Sequence, residues 1–139
     1  RYSGAHYSAK VGFVTQDIYL FKGTLRENLL AGRERVDEDI WSVLDQVDAS
    51  HFVRQLGGLD TESAEAGRSL SGGQRRRLGV ARGLLSGADI LIFDEVTAGL
   101  DQTNKSAVLG LIERLTERYV IVLISHDPVI LPGQTTFTV

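Results

Sequence analysis

The sequence predicts an α/β domain with a parallel sheet and an inserted block of helices. Residues 89–93, which are apolar after Asp89, and the apolar residues 119–124 form short runs, as expected for strands that are buried on both faces. Between them, four apolar residues recur at helical spacing, namely Val108, Leu111, Ile112 and Leu115. A strand–helix–strand succession of this kind forms a parallel pair of strands with a crossover helix.

The first elements follow from local patterns. Residues 10–15 alternate between polar and apolar or β-branched side chains, which predicts a strand. Thr24 and Glu27 have the spacing of a capping box, which predicts a helix through residue 30. A second helix is predicted over residues 37–47 and a short third one over residues 51–56.

The next stretch contains a predicted loop, a helix and the remaining strands. Residues 57–70 are rich in Gly, Ser, Ala and acidic residues, which favours a loop. A helix is predicted to begin after Ser71 and to end near Gly87, and Asp101 is predicted to cap the last helix. Residues 135–139 are predicted to form an edge strand. The predicted organisation is an α/β core of residues 1–16 and 88–139, with a helical subdomain at about 17–87.

Composition excludes several classes of protein. The 139 residues carry a net charge of −3, which argues against nucleic-acid binding through bulk positive charge. There is no cysteine, which excludes disulfides, thiolate metal sites and a cysteine nucleophile. No apolar run is long enough to cross a bilayer. The sequence also lacks methionine, so we expect it to be part of a longer polypeptide.

A glycine pair at a predicted helix start points to anion binding. Ser71 and Gln74 have capping-box spacing, but Gly72 and Gly73 each cost roughly 1 kcal/mol in a helix relative to alanine. Glycines there leave N–H groups accessible at the positive end of the helix dipole, where a phosphate can bind. The capping and the anion-binding interpretations both remain open at this point.

Polar residues follow the predicted strands at one edge of the sheet. Asp94 and Glu95 end one buried strand, His126 follows the next, and Gln16 follows the first. Ligands bind at the carboxyl ends of strands in open α/β sheets. One carboxylate there can hold Mg²⁺ through water, and the other can orient or deprotonate an attacking water. The basic run at residues 75–77 is predicted to be a solvated helix face.

These motifs together resemble the nucleotide-binding domain of ABC transporters. Gln16, residues 70–74, residues 94–95, residues 98–101 and His126 are similar to its Q-loop, signature motif, Walker B motif, D-loop and H-loop, in that order. Residues 16–28 and 61–68 resemble segments of the exporter branch. The resemblance implies a P-loop NTPase-like parallel sheet, with ATP and Mg²⁺ as ligands.

The resemblance also implies a role for each matching residue. Ser71, Gly72 and Gly73 would bind the γ-phosphate of ATP held by a second domain, with Gln74 near the ribose. Asp94 would hold Mg²⁺ through water, and Gln16 would sense the metal and the attacking water. Glu95 would polarise that water, His126 would contact the γ-phosphate, and Asp101 would reach across to the opposite site.

One family motif is missing from the sequence. No Gly-x-x-x-x-Gly-Lys-Ser/Thr string of the Walker A type occurs in the 139 residues. We therefore expect a partial ABC ATPase domain that hydrolyses no ATP alone, although its complete parent would be an ATPase. The implied partners are a second nucleotide-binding domain, identical or different, and a transmembrane domain, and the implied location is the cytoplasmic face of a membrane.

Three alternatives remain open. The first is a soluble ABC-type ATPase of DNA repair, chromosome maintenance or translation, and the second is an importer ATPase. The exporter-like segments at residues 16–28 and 61–68 count against both. The third is a binding module without a P-loop that lends its signature motif to a complete partner ATPase. Only this third hypothesis predicts that the chain itself raises the partner's ATP turnover.

Overall fold

Three parallel strands form the sheet in the computed structural model, which describes residues 11–16, 18–127 and 133. The strands are β1 (Val11–Thr15), β2 (Ile90–Asp94) and β3 (Val120–Ile124), in the order β1-β2-β3. Val11 pairs with Ile90, and Ile90 pairs with Val120, so all three strands end at the same edge. The predicted parallel sheet is confirmed. The strand predicted at residues 135–139 lies outside the described residues.

Helices fill the long connection between β1 and β2. They are α1 (Leu25–Leu30), α2 (Asp37–Gln46), α3 (Ser50–Gln55), α4 (Ser63–Ser69) and α5 (Gly72–Leu85), and α6 (Gln102–Leu115) joins β2 to β3. One hydrophobic core contains residues from the sheet and from these helices. The division into a helical subdomain at 17–87 and a separate core therefore stays a prediction. Within the described residues, no helix combines the length and the apolar character that a membrane crossing requires.

The loop predicted over residues 57–70 is partly wrong, because α4 forms within it. Glu62 makes an isolated antiparallel bridge with Thr24, and the Ser63 amide donates to the carbonyl of Gly23 at 2.8 Å. The Ser63 hydroxyl donates to the Phe21 carbonyl at 2.7 Å. These long-range bonds hold the start of α4 in place. Within this helix, Ala66 is buried. Tertiary contacts thus outweigh a composition that favours a loop.

The helix α5 packs against α1 and α2 on one side and against β1 on another. Two glycines permit its close approach to β1. A Cβ on Gly79 would lie 2.2 Å from Cδ1 and 2.6 Å from Cγ1 of Ile18, and a Cβ on Gly83 would lie 3.1 Å from Cγ2 of Val14. The helix is therefore buried around most of its circumference, and it lies directly against the strand that leads to Gln16.

The prediction that β2 and β3 are buried on both faces is wrong for the described residues. Leu91 and Phe93 are fully buried on the face that packs against the core. On the other face, Val120, Val122 and Ile124 are 61%, 43% and 47% exposed. No described element covers this second face, on which Phe13 of β1 is also exposed. An apolar run specifies a strand, but the covering of each face depends on other parts of a protein.

Residues 18–24 are held by polar contacts to α1. Asn28 is buried, its Oδ1 accepts from the Phe21 amide at 2.9 Å, and its Nδ2 donates to the Phe21 carbonyl at 2.9 Å. The predicted capping box is confirmed, because the Thr24 hydroxyl accepts from the Glu27 amide and the Glu27 carboxylate accepts from the Thr24 amide. These bonds fix the path of the chain after the first strand.

A partly exposed arginine links α1 to its neighbours. Arg26 donates to Asp37 at the start of α2 and to Asp60 in the loop that precedes α4. The bonds from Arg26 lower the pKa of the Asp37 carboxyl. The contribution of this contact to stability is present above the ordinary pKa of Asp37 and is lost as the pH falls through the lowered value. Solvent exposure keeps that contribution small.

We predict that Gly79→Ala destabilises the domain, because a methyl group would overlap Ile18. Overpacking of this kind costs about 1–3 kcal/mol. Gly110→Ala is the matched control, since Gly110 also lies within a helix but a Cβ there meets nothing within 4 Å. This control should gain up to about 1 kcal/mol of helix propensity. Urea unfolding followed by circular dichroism measures both, and equal effects of the two substitutions would refute the close packing.

Candidate functional site

The carboxyl ends of the three strands bring four of the predicted residues to one edge of the sheet. Thr15 pairs with Asp94, and Asp94 pairs with Ile124. Gln16 and Glu95 therefore directly follow two paired strand residues. His126 lies two residues after Ile124, which is the end of β3. We call Gln16, Asp94, Glu95 and His126 the edge group. The predicted gathering of these residues at one sheet edge is what the register produces.

Glu95 has an unusual backbone conformation. Its φ is +54°, in the left-handed region that residues other than glycine rarely adopt. Its amide donates to the Ile124 carbonyl at 2.9 Å, which continues the sheet pairing one residue beyond β2. Such a conformation costs about 1–3 kcal/mol and persists where the surroundings impose it. This left-handed conformation changes the direction of the Glu95 side chain directly after the end of β2.

The Glu95 carboxylate lies against an imidazole. Nε2 of His126 is 3.3 Å from Oε1 of Glu95, within ion-pair distance although the geometry is not that of a hydrogen bond. Glu95 is 21% exposed at its side chain, whereas His126 is 96% exposed. A shielded carboxylate beside an accessible imidazole can take a proton from a water while the imidazole contacts a further group.

Asp94 and Gln16 carry the exposed side-chain oxygen atoms of the edge group. Both residues are exposed, at the end of β2 and directly after β1. Among the described residues, no three His, Asp or Glu side chains are clustered as a complete metal site would require. Magnesium commonly uses one or two carboxylates together with waters and substrate phosphates. The exposed Asp94 carboxylate, with the Gln16 amide following the paired strand, fits such a site.

The predicted cap at Ser71 is formed in the structure. The Ser71 hydroxyl accepts from the Gln74 amide at 3.1 Å, and the Gln74 side chain accepts from the Ser71 amide at 2.9 Å. The glycine pair therefore does not prevent capping. The hydroxyl proton of Ser71 stays available for a further acceptor, because a hydroxyl both donates and accepts. Capping and anion binding are compatible at this helix start.

The two glycines of this helix start have different surroundings. Gly73 is buried, and a Cβ there would lie 3.0 Å from Oδ1 of Asn104. Gly72 is exposed, and a Cβ there would meet nothing within 4 Å. Packing within the chain accounts for Gly73 but not for Gly72. The absence of a side chain at Gly72 leaves backbone N–H groups accessible to a group from outside the chain.

Asp101 is connected to the start of α5 by a side chain of α6. As predicted, it is the N-cap of α6, with Oδ1 accepting from the Asn104 amide at 2.8 Å. Its Oδ2 accepts from the Asn104 side chain at 3.0 Å. Since Asn104 also contacts Gly73, one side chain joins Asp101 to the glycine pair. We call Ser71, Gly72, Gly73, Gln74 and Asp101 the signature group.

The prediction of a solvated face for residues 75–77 is wrong for Arg76. Arg76 is only 7% exposed, while Arg75 is exposed and Arg77 is half-buried. Nε of Arg76 donates to the Gln16 carbonyl at 3.3 Å, and Nη2 donates to the Ala98 carbonyl at 2.6 Å. The apolar positions of α5 conceal this, because they define the face toward the other helices. The sequence does contain an indication that Arg76 is buried, since glycines lie three residues before it and three and seven residues after it.

The structure thus places the predicted residues in two groups on an open surface. A surface depression lined by Glu34, Arg35, Val36 and Asp39 contains none of them. Arg76 joins the groups, since it bonds to Gln16 of the edge group and to the loop before Asp101 of the signature group. An open arrangement of this kind suits a site that is completed by another part of a protein.

Several known proteins share much of this sequence. An uncharacterised ABC transporter ATP-binding protein of Haemophilus influenzae is 44% identical over 118 residues, which cover 84% of this chain and 21% of that protein. A multidrug resistance ABC transporter ATP-binding and permease protein of Lactococcus lactis is 41% identical over 124 residues, covering 87% of this chain and 21% of that protein.

A third relative, the ATP-dependent lipid A-core flippase 2 of Colwellia psychrerythraea, is 36% identical over 128 residues, covering 90% of this chain and 22% of that protein. The chain spans about a fifth of the length of these curated relatives. Residues 2–98 match the protein family described as ABC transporter. The chain therefore belongs to the ABC transporter family, as a nucleotide-binding domain of the exporter-like type.

Proposed function

We propose that the chain supplies part of the ATP-hydrolysing machinery of a transporter that exports a substrate across a membrane. The observation that carries the proposal is the contact between Glu95 and His126 at the carboxyl edge of the sheet. The backbone strain at Glu95 supports it, because such strain is concentrated at functional sites. ATP is the proposed ligand, since the family binds nucleotide and the edge group offers groups suited to a phosphate and a water.

The edge group acts by positioning and electrostatics. Glu95 orients the attacking water and accepts its proton, and His126 contacts the γ-phosphate. Mg²⁺, when bound with ATP, neutralises charge that develops on the phosphates, and Asp94 and Gln16 would hold it with water. Most of the rate enhancement in phosphoryl transfer arises from such preorganised groups rather than from covalent chemistry.

The signature group acts on a nucleotide held by a second domain. Gly72 and Asp101 are both exposed, and none of the described residues occupies the space beside Gly72. Ser71, Gly72 and Gly73 bind the γ-phosphate, Gln74 lies near the ribose, and Asp101 reaches the opposite site. The second domain is a copy of the same polypeptide or a different subunit, and the two are arranged head to tail.

A transmembrane domain is the second proposed partner. The Lactococcus lactis relative is named as an ATP-binding and permease protein, which supports attachment to a membrane part. The corresponding location is the cytoplasmic face of a membrane. A net charge of −3 supports no role for nucleic acid.

We predict that Glu95→Gln in the complete transporter stops turnover and still permits ATP-driven dimerisation. The amide keeps the size of the side chain but cannot accept a proton from water. Loss of a general base lowers the rate by about 10²–10⁴-fold. Phosphate release and size-exclusion chromatography with ATP measure the two properties. The control is Glu117→Gln, at an exposed turn that belongs to neither group. Wild-type turnover in Glu95→Gln would exclude Glu95 as the base.

We predict that Gly72→Ala leaves folding intact and weakens ATP-driven dimerisation of the complete transporter. The new methyl group meets no atom within 4 Å in the part of the chain that the structure describes, but it occupies the space proposed for phosphate. Gly73→Ala is the matched comparison, since its methyl group meets Asn104 within the chain. Gly72→Ala should therefore gain more unfolding free energy, up to about 1 kcal/mol. Undiminished dimerisation of Gly72→Ala would contradict the phosphate contact.

We predict that the 139-residue chain alone hydrolyses no ATP and shows no saturable MgATP binding at millimolar nucleotide. A Walker A loop supplies a backbone nest and a lysine for the phosphates, and no such string occurs in these residues. Calorimetric titration of MgATP into chain that circular dichroism shows to be folded tests this. Saturable binding would instead favour a separate module that lends its signature group to a complete partner, and mixing with that partner would then raise the partner's turnover.

A further inference from the structure

Arg76 forms a buried bridge between two loops. It is the middle one of three consecutive arginines in α5, yet it is only 7% exposed. Its Nε and Nη2 donate to two different backbone carbonyls, those of Gln16 and Ala98. These carbonyls are far apart in sequence, and one arginine side chain joins them through two nitrogens of the same planar group.

The two loops belong to the two functional groups. Gln16 is itself part of the edge group. Ala98 lies in the loop of residues 96–101, which ends at Asp101 of the signature group. Local bonds also shape this loop: the Ala98 amide donates to the Glu95 carbonyl at 3.1 Å, and the Leu100 amide donates to the Thr97 carbonyl at 3.3 Å. Its Gly99 has a φ of +71°, which only a glycine adopts without strain.

We propose that Arg76 is a positioning residue that sets the place of Asp101 relative to Gln16. This inference rests on the proposed function. The guanidinium is planar and rigid, so its Nε and Nη2 hold the two carbonyls at a fixed separation. Moving either loop alone would leave a buried donor of a charged group poorly paired, which is costly. A displacement at Gln16 is therefore transmitted to the loop that carries Asp101.

The bridge has a distinctive consequence for a head-to-tail dimer. Gln16 serves the nucleotide site of its own domain, whereas Asp101 serves the site of the partner domain. Replacement of Arg76 should therefore impair both sites, although it lies in one domain. Arg76→Lys and Arg76→Gln each carry their N–H donors on a single nitrogen, so neither can hold the two carbonyls at the spacing that Nε and Nη2 of one guanidinium impose.

The test uses complete transporters assembled as mixed dimers and isolated through two different affinity tags. Glu95→Gln silences the site of the subunit that carries it. In the cis arrangement, one subunit carries Glu95→Gln and the other carries Arg76→Lys. In the trans arrangement, one subunit carries both substitutions and the other is wild type. The reference is a dimer with Glu95→Gln alone in one subunit, and Arg77→Lys replaces Arg76→Lys in the control.

We expect kcat to fall about tenfold in both arrangements, since a small misplacement of a positioned group can lower a rate by up to about 100-fold. The KM for ATP and the unfolding temperature should change little, and Arg77→Lys should match the reference. Arg76→Gln repeats the measurement without a buried ammonium group.

Each other outcome overturns the proposal. A fall in the cis arrangement alone would show that Arg76 acts on its own site without setting Asp101. Unchanged kcat in folded dimers would show that the bridge does not position either loop. Failure of both Arg76 variants to fold would make Arg76 a structural residue. Turnover that survives Glu95→Gln in both subunits would instead refute the proposed function, which keeps the two failures apart.

Discussion

The close approach of α5 to β1 is the constraint on which both functional groups depend. Three glycines make it possible, and each removes a Cβ from the contact. A Cβ on Gly12 would lie 3.0 Å from Cδ2 of Leu91 and 3.2 Å from the Gly83 carbonyl, while Gly79 and Gly83 face Ile18 and Val14. With larger residues the helix would move away from the strand, and Arg76 could no longer reach Gln16. Interiors are packed densely enough that such a shift has no cheap compensation.

The same approach makes α5 a rigid connection between the site and the segment after β1. Arg76 near its start bonds to Gln16, and Arg82 further along donates to the carbonyls of Asn28 at 2.7 Å and Tyr19 at 3.2 Å. Burial lowers the pKa of the Arg82 guanidinium, which is the expected effect of removing it from water. Gln16 and Tyr19 are thus both attached to one helix, whose N-terminal end carries residues of the signature group.

Periodic patterns predicted most of the fold, because they report interactions within an element or across one face. The helices α2, α5 and α6 and the three strands follow from such patterns. The helix α4 did not, since its start is fixed by the distant Gly23 and Phe21 carbonyls rather than by its own composition. The exposed second face of β3 was also missed, because apolar content indicates a strand without saying what covers it.

For the site, residue order predicted which side chains gather at the sheet edge, but not how the two groups are connected. That connection uses Arg76 and Asn104, whose partners are a carbonyl, a carboxylate and a glycine distant in sequence. A backbone carbonyl has no signature in a sequence, so a residue that binds one is difficult to recognise. The glycines on both sides of Arg76 were the available clue, since a helix face without side chains indicates close packing rather than solvent.

Local rules of folding are broken at several described positions, and three of them lie in or beside the proposed site. Glu95 adopts a left-handed conformation, Arg76 buries a charge, and Gly72 lies in a helix where an alanine would fit. The left-handed conformation of Glu95 and the glycine at position 72 each lower the stability of the isolated fold relative to an ordinary residue. Gly72 is the clearer case, because no described residue occupies the space beside it. A requirement outside the fold must therefore maintain the glycine, and a phosphate presented by a second domain is the requirement that its exposed N–H groups fit.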